Sequence, residues 1–101
     1  MVVISYGTLR DFYMLHADAK DGLNNWYRLV IQAKWANFHE TKQMFNSVDA
    51  IGNDRFVFNI RGNNYRLIAL IFFDVRTVYV RFVGTHAEYD KVDAETVELK
   101  Q

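Results

Sequence analysis

The sequence predicts an α+β fold: an N-terminal strand and a two-helix hairpin packed on a mostly antiparallel sheet, closed by a short C-terminal helix or tail. Three observations predict it. Apolar residues recur at helical spacing through the first third of the chain, the period changes to two from Arg55 onward, and Gly/Asn turn chemistry separates the later strands. With 101 residues, half of them apolar and 16% aromatic, the chain is expected to form one domain over 1–101, with its sixteen aromatics concentrated in a single core.

Val2-Val3-Ile4 is short and β-branched, which suits a strand. Thr8 or a neighbour can cap a first helix, in which Leu9, Phe12, Tyr13 and His16 form one stripe. Asp18 or Asp21 can open a second, striped by Leu23, Tyr27, Val30 and Ile31 and widened by Trp26, Leu29 and Ala33. From Ala36 to Gly52 the periodicity fades, and only Thr41–Phe45 suggests a helical turn. Arg55–Ile60 then alternates as a strand, and Arg61-Gly62-Asn63-Asn64 turns the chain, because Gly and Asn tolerate positive φ. Tyr65–Phe73 reads as a central strand, Asp74–Thr77 as a turn, and Val78–Thr85 as the next strand. An acidic helix or tail follows from about Glu88.

Twelve basic and twelve acidic residues cancel, but unevenly. Residues 51–86 hold Arg55, Arg61, Arg66, Arg76 and Arg81 against Asp54 and Asp74, a surplus of three positive charges, and 87–101 carry a matching acidic surplus. Whether that acidic end folds onto the arginines stays open. There is no cysteine, hence no disulfide framework, thiolate nucleophile or Cys-rich zinc site. No apolar run approaches a membrane span and no signal segment is visible, so a soluble, unprocessed, cytoplasmic protein is expected. Glycines at G-x-G spacing and a G-x-S-x-G elbow are missing. His39-Glu40 begins like a zinc-protease helix, but Gln43 stands where the second histidine belongs.

What remains is a cluster at the ends of the two long strands. If their hairpin turns near Arg76, Arg66 and His86 meet at its open end, with Tyr89 and Asp90 following. Counting in twos places Arg66, Ile68 and Leu70 on one face, and Val80, Phe82 and His86 on one face of the partner strand. Such a set suits cleavage of RNA through its own 2′-hydroxyl, where the substrate supplies the nucleophile and the protein moves protons and stabilises charge. His86 serves as general acid or base, Arg66 neutralises the phosphorane, and Tyr89 or Asp90 orients the histidine or exchanges a proton. Arg61 and Arg81 are candidates for flanking phosphates. Each has a plainer reading: Asp90 as a helix cap, Tyr89 as core, Arg66 paired with Asp74 or the acidic end, and Asn59 and Asn63 as turn residues.

Phe58-Asn59-Ile60-Arg61-Gly62-Asn63-Asn64-Tyr65-Arg66-Leu67, followed by Val83-Gly84-Thr85-His86-Ala87-Glu88-Tyr89-Asp90-Lys91, resembles the HigB branch of the RelE superfamily of toxin-antitoxin systems. Trp26, Tyr27 and Trp35 resemble its aromatic N-terminal half, so the likeness covers most of residues 1–95. It implies a RelE-like fold and an mRNA endonuclease acting on translating ribosomes without metal or other cofactor. It also implies a helix-turn-helix, HigA-like antitoxin as partner. On the motif, Arg66 matches the phosphate-stabilising arginine, and His86, Tyr89 and Asp90 fall where catalytic groups cluster, their individual roles open. Asn59, Arg61, Asn63, Arg81 and Lys91 form the expected RNA-binding set. Zero net charge predicts a weak grip on free RNA, which positioning by the ribosome can offset. Two alternatives stand beside this: a non-catalytic toxin of the ParE type acting on gyrase, and a scaffold that only binds its antitoxin.

Overall fold

A computed structural model describes residues 1–99; Lys100, counted above with the acidic end, lies outside the described residues. Strand β1 (Val2–Ile4) leads into helix α1 (Tyr6–Leu15), a 3-10 turn (Ala17–Ala19) and α2 (Lys20–Gln32). Then come α3 (Phe38–Met44), β2 (Asp49–Gly52), β3 (Arg55–Ile60), β4 (Tyr65–Phe72), β5 (Thr77–Thr85) and the single turn of α4 (His86–Tyr89). The sheet runs β1-β5-β4-β3-β2, with β1 parallel to β5 and every other pair antiparallel. This is the predicted α+β architecture. Among the described residues no helix is long and apolar enough to cross a membrane.

Alternation divides the sheet into two faces. Phe56, Phe58 and Ile60 of β3, Leu67, Ala69 and Ile71 of β4, and Val78 and Val80 of β5 join Leu9, Leu23, Trp26 and Val30 in one core. Trp26 meets Phe58 edge to face at 5.4 Å between ring centres. Arg55, Val57 and Asn59 of β3 and Arg66, Ile68 and Leu70 of β4 alternate onto the second face. Val57 and Ile68 are nevertheless buried, because α4 and the segment after it lie across that face.

Several local readings shift. Helix α1 begins at Tyr6, before Thr8, without a side-chain cap: Ser5 adopts φ 79° and the entry is fixed by Tyr6, whose hydroxyl donates to Asn24 Oδ1 at 2.7 Å. Nor does either aspartate cap α2; Asp21 sits in its first turn, where the helix dipole favours an anion, and Asp18 is drawn away by partners described below. The buried line of α2 is Leu23, Trp26 and Val30, and Ile31 is exposed. The weakly periodic stretch 36–52 contains all of α3, capped by Asn37 through the Glu40 N–H at 3.1 Å, and strand β2. The Asn53-Asp54 turn, both residues at positive φ, joins β2 to β3.

Candidate functional site

The β4–β5 hairpin turns through Arg76 (φ 51°), as the sequence suggests, and its other end is open. There Tyr65 pairs with Thr85 and Arg66 with Gly84, while Asn59 of β3 lies opposite Arg66 on its other side. Strand β5 stops at Thr85, so His86 is the first residue of α4 and not the last of the strand. The cause is a capping box: Thr85 Oγ1 accepts the Glu88 N–H at 3.2 Å, and Glu88 Oε1 accepts the Thr85 N–H at 2.9 Å. Thr85-His86-Ala87-Glu88 spells that box in the sequence, and it fixes where the imidazole leaves the sheet.

One side-chain face does not survive. Ile68 pairs with Phe82 but Ala69 with Val80, so a bulge at Arg81 reverses the alternation. Val80 stays in the core, whereas Phe82 emerges on the second face and tilts against Tyr89, 6.4 Å between ring centres. The bulge thus places an aromatic support beneath α4. Gly84 makes room for it, since a Cβ there would lie 2.5 Å from Phe82 Cζ.

Arg66, His86 and Tyr89 come together. Arg66 Nε donates to His86 Nε2 at 3.1 Å, and the guanidinium carbon lies 4.8 Å from the centre of the Tyr89 ring. Asn63 Oδ1 is 3.0 Å from the same imidazole nitrogen. Arg66 can only donate, so Nε2 is the acceptor in that contact, whereas toward Asn63 Oδ1 the same nitrogen is the donor; one nitrogen serves one of the two at a time, and the tautomer selects which. The contact with Arg66 is the one that requires a lone pair on Nε2, the form that a general base uses.

Asp18, Asn63, Asn64, Tyr65, Thr85 and His86 line a shallow, open concavity of about 580 Å³ beside this group. Asp18 is the member that sequence reasoning read only as a cap. Its carboxylate accepts from the Tyr65 hydroxyl and pairs with Arg61 at 3.2 Å, tying the 3-10 turn to the Arg61–Asn64 loop that carries Asn63. These partners lie more than forty positions away, so no local pattern announces them.

The hydrogen bond to Asp18, aided by burial and the carboxylate's charge, raises the Tyr65 phenol above its ordinary value; Arg61 opposes weakly. The folded value thus exceeds the unfolded value of about 10, so the bond's contribution is complete below about pH 10 and is lost as pH climbs through the raised value. Asp18→Asn should bring the Tyr65 phenol back toward ordinary titration, followed by NMR of its ring. An unchanged midpoint would remove Asp18 as the cause.

The other sequence candidates lie farther out. Asp90 and Lys91 are exposed beyond α4, and among the described residues their side chains make no hydrogen bond or ion pair; the Asp90 N–H donates to His86 O at 3.0 Å. Arg61 is exposed and held by Asp18. Arg81 lies on the second face, 3.3 Å from Glu98 and over the Tyr79 ring. Among the described residues no three His, Asp or Glu side chains converge as a cation site requires.

The sequence that builds this arrangement has relatives. The model of the HigB toxin family, described as the RelE-like toxic component of a toxin-antitoxin system, matches residues 19–92. The chain belongs to the HigB toxin family. It is 32% identical over 81 residues to the mRNA interferase HigB of Escherichia coli O6:H1, covering 78% of this chain and 79% of that protein. It is 41% identical over 51 residues to the mRNA interferase toxin HigB of Escherichia coli K12, and equally so to the mRNA interferase HigB of Shigella flexneri. Those matches cover 48% of this chain, which spans about half the length of these two relatives. The HigB match contains α2, the whole β3–β5 unit and α4.

Proposed function

We propose that this HigB-family chain is an endoribonuclease that cleaves mRNA on translating ribosomes, in the cytoplasm, and is held inactive by a helix-turn-helix antitoxin. The contact of Arg66 with Nε2 of His86 carries the reading. It joins a fixed cation to an imidazole at the edge of an open concavity, and the neighbouring phenol completes an acid, a base and a charge stabiliser.

The chemistry follows from those atoms. An incoming phosphate draws the Arg66 guanidinium off His86, because charge-assisted bonds to a phosphate outcompete one to a neutral imidazole. The freed Nε2 takes the proton of the 2′-hydroxyl while that oxygen bonds to phosphorus. Arg66 stabilises the charge gathering on the phosphorane oxygens. The bond from phosphorus to the 5′-oxygen breaks, and that oxygen takes a proton from Tyr89 or from water, leaving a 2′,3′-cyclic phosphate and a 5′-hydroxyl. Asn63 holds the imidazole, and Asn59, Arg61, Arg81 and Lys91 border the RNA path. Asp90 adds negative charge near α4 and takes no proton in this scheme.

Primer extension on a reporter mRNA, with and without its translation, tests the reading after induction of the protein in cells. In-frame cuts that require translation are expected. Growth arrest without cuts would move the activity to a target such as gyrase, and neither arrest nor cuts would leave only antitoxin binding.

A further inference from the structure

The acidic end does fold onto arginines, but onto Arg55 and Arg81 rather than Arg66. The Arg55 side chain is only 6% exposed, although it is charged. Its Nη1 donates to the carbonyls of Ala94 and Val97, and its Nη2 donates to Glu98 Oε1 at 2.7 Å. The second oxygen of Glu98 lies 3.3 Å from Arg81 Nε. One carboxylate thus bridges two guanidinium groups while itself remaining 62% exposed. The fit is incomplete: among the described residues the buried Arg55 Nε has no hydrogen-bond acceptor, and the buried Arg81 Nε, though 3.3 Å from Glu98 Oε2, is not aligned with it for a hydrogen bond. Among the described residues two positive charges face one negative charge here, so the pair keeps a surplus of one.

Arg55 also holds the segment through the carbonyls of Ala94 and Val97, contacts that do not involve the exposed Glu98 side chain. Arg55 pairs with Leu70 on β4, four residues from Arg66 on the same second face, a separation of roughly 13 Å along the strand. An oxyanion at the arginine pair therefore lies on the same side of the sheet as the proposed cleavage group.

We propose that Arg55 and Arg81 form a phosphate subsite for the RNA strand, occupied in the free protein by the Glu98 carboxylate as an internal stand-in that an RNA phosphodiester displaces. This rests on the nuclease reading, and binding of an uncleavable strand separates the two, because binding and cutting can then fail independently.

The probe is a single-stranded 2′-O-methyl RNA, which lacks the attacking hydroxyl. Glu98→Gln keeps an oxygen acceptor for Arg55 Nη2 and removes the competing charge. It should bind the probe roughly two- to fivefold more tightly, the range expected for loss of one exposed ion pair, and the gain should vanish in Glu98→Gln/Arg81→Gln. A folded Glu98→Gln protein with unchanged or weaker binding would overturn the inference. The wild type provides a second measurement, independent of any variant's stability: the Arg81 Nε–H resonance should shift as the probe is added. No shift at saturation would equally overturn it. Polyglutamate shifting that resonance as readily as RNA of equal charge would assign the pair to an acidic protein partner and reject RNA as its ligand.

Discussion

Replacing His86 with alanine is expected to lower the rate of mRNA cutting by about 10²–10⁴-fold, the contribution of a positioned acid–base group. Arg66→Ala should cost about 10²–10³-fold, comparable with loss of a preorganised donor to transition-state charge. Both act on one transition state and touch each other at 3.1 Å, so the double variant should fall well short of the product of the two losses. Arg66→Lys should rescue little. The arginine reaches His86 through Nε while its guanidinium carbon lies 4.8 Å from the centre of the Tyr89 ring, and an ammonium cannot do both. Quantitative primer extension reads the rates, with thermal melting as the control for folding. Undiminished cutting by folded Arg66→Ala or His86→Ala would end the catalytic assignment.

The meeting of Arg66 and His86 was legible because it needs only two strand lengths and a turn at Arg76. The face of Phe82 was not, because one bulged residue at Arg81 inverts a count in twos, and neither Ile68 nor Val80 betrays it by residue type. Asp18 shows a different limit. An aspartate before a helix is a good cap by local chemistry, yet its partners are Tyr65 and Arg61, and long-range pairing leaves no periodic trace. The acidic end posed the question of which arginines it covers; Glu98 answers it through contacts to Arg55 and Arg81.

In the fold, long amphipathic runs read well and the 36–52 stretch did not. Helix α3 has only seven residues and one fully buried side chain, Thr41, so its stripe is too short to stand out. It is held by aromatics at its ends, Phe38 stacked on Phe56 at 5.3 Å and Phe45 edge-on to Phe58 at 5.2 Å. Strand β2 is mostly exposed, and its pairing with β3 is irregular between Ala50 and Gly52. Tertiary packing supplies what propensity lacks there.

That dependence on aromatic packing makes Trp26→Ala the substitution with the largest expected effect on stability. The ring is 1% exposed, lies edge-on to Phe58 and joins α2 to the sheet. Among the described residues its Nε1 has no hydrogen-bond partner, so the loss is one of packing and burial. Truncating such a side chain costs about 3–5 kcal/mol, a large share of the roughly 5–15 kcal/mol that holds a domain folded. At about 4–8 °C per kcal/mol for a chain of this size, the melting temperature should fall by at least roughly 12 °C. Trp26→Phe should recover much of it, since no polar partner is stranded and an aromatic edge still reaches Phe58. Met14→Ala, at a side chain 75% exposed on α1, should stay within about 0.5 kcal/mol. The effect reaches the site through α2, which starts two residues after Asp18: a helix loosened from Phe58 no longer holds that carboxylate against Tyr65. Calorimetry of the three variants decides the point, and a Trp26→Ala melt within a few degrees of wild type would show that α2 is held by something other than this contact.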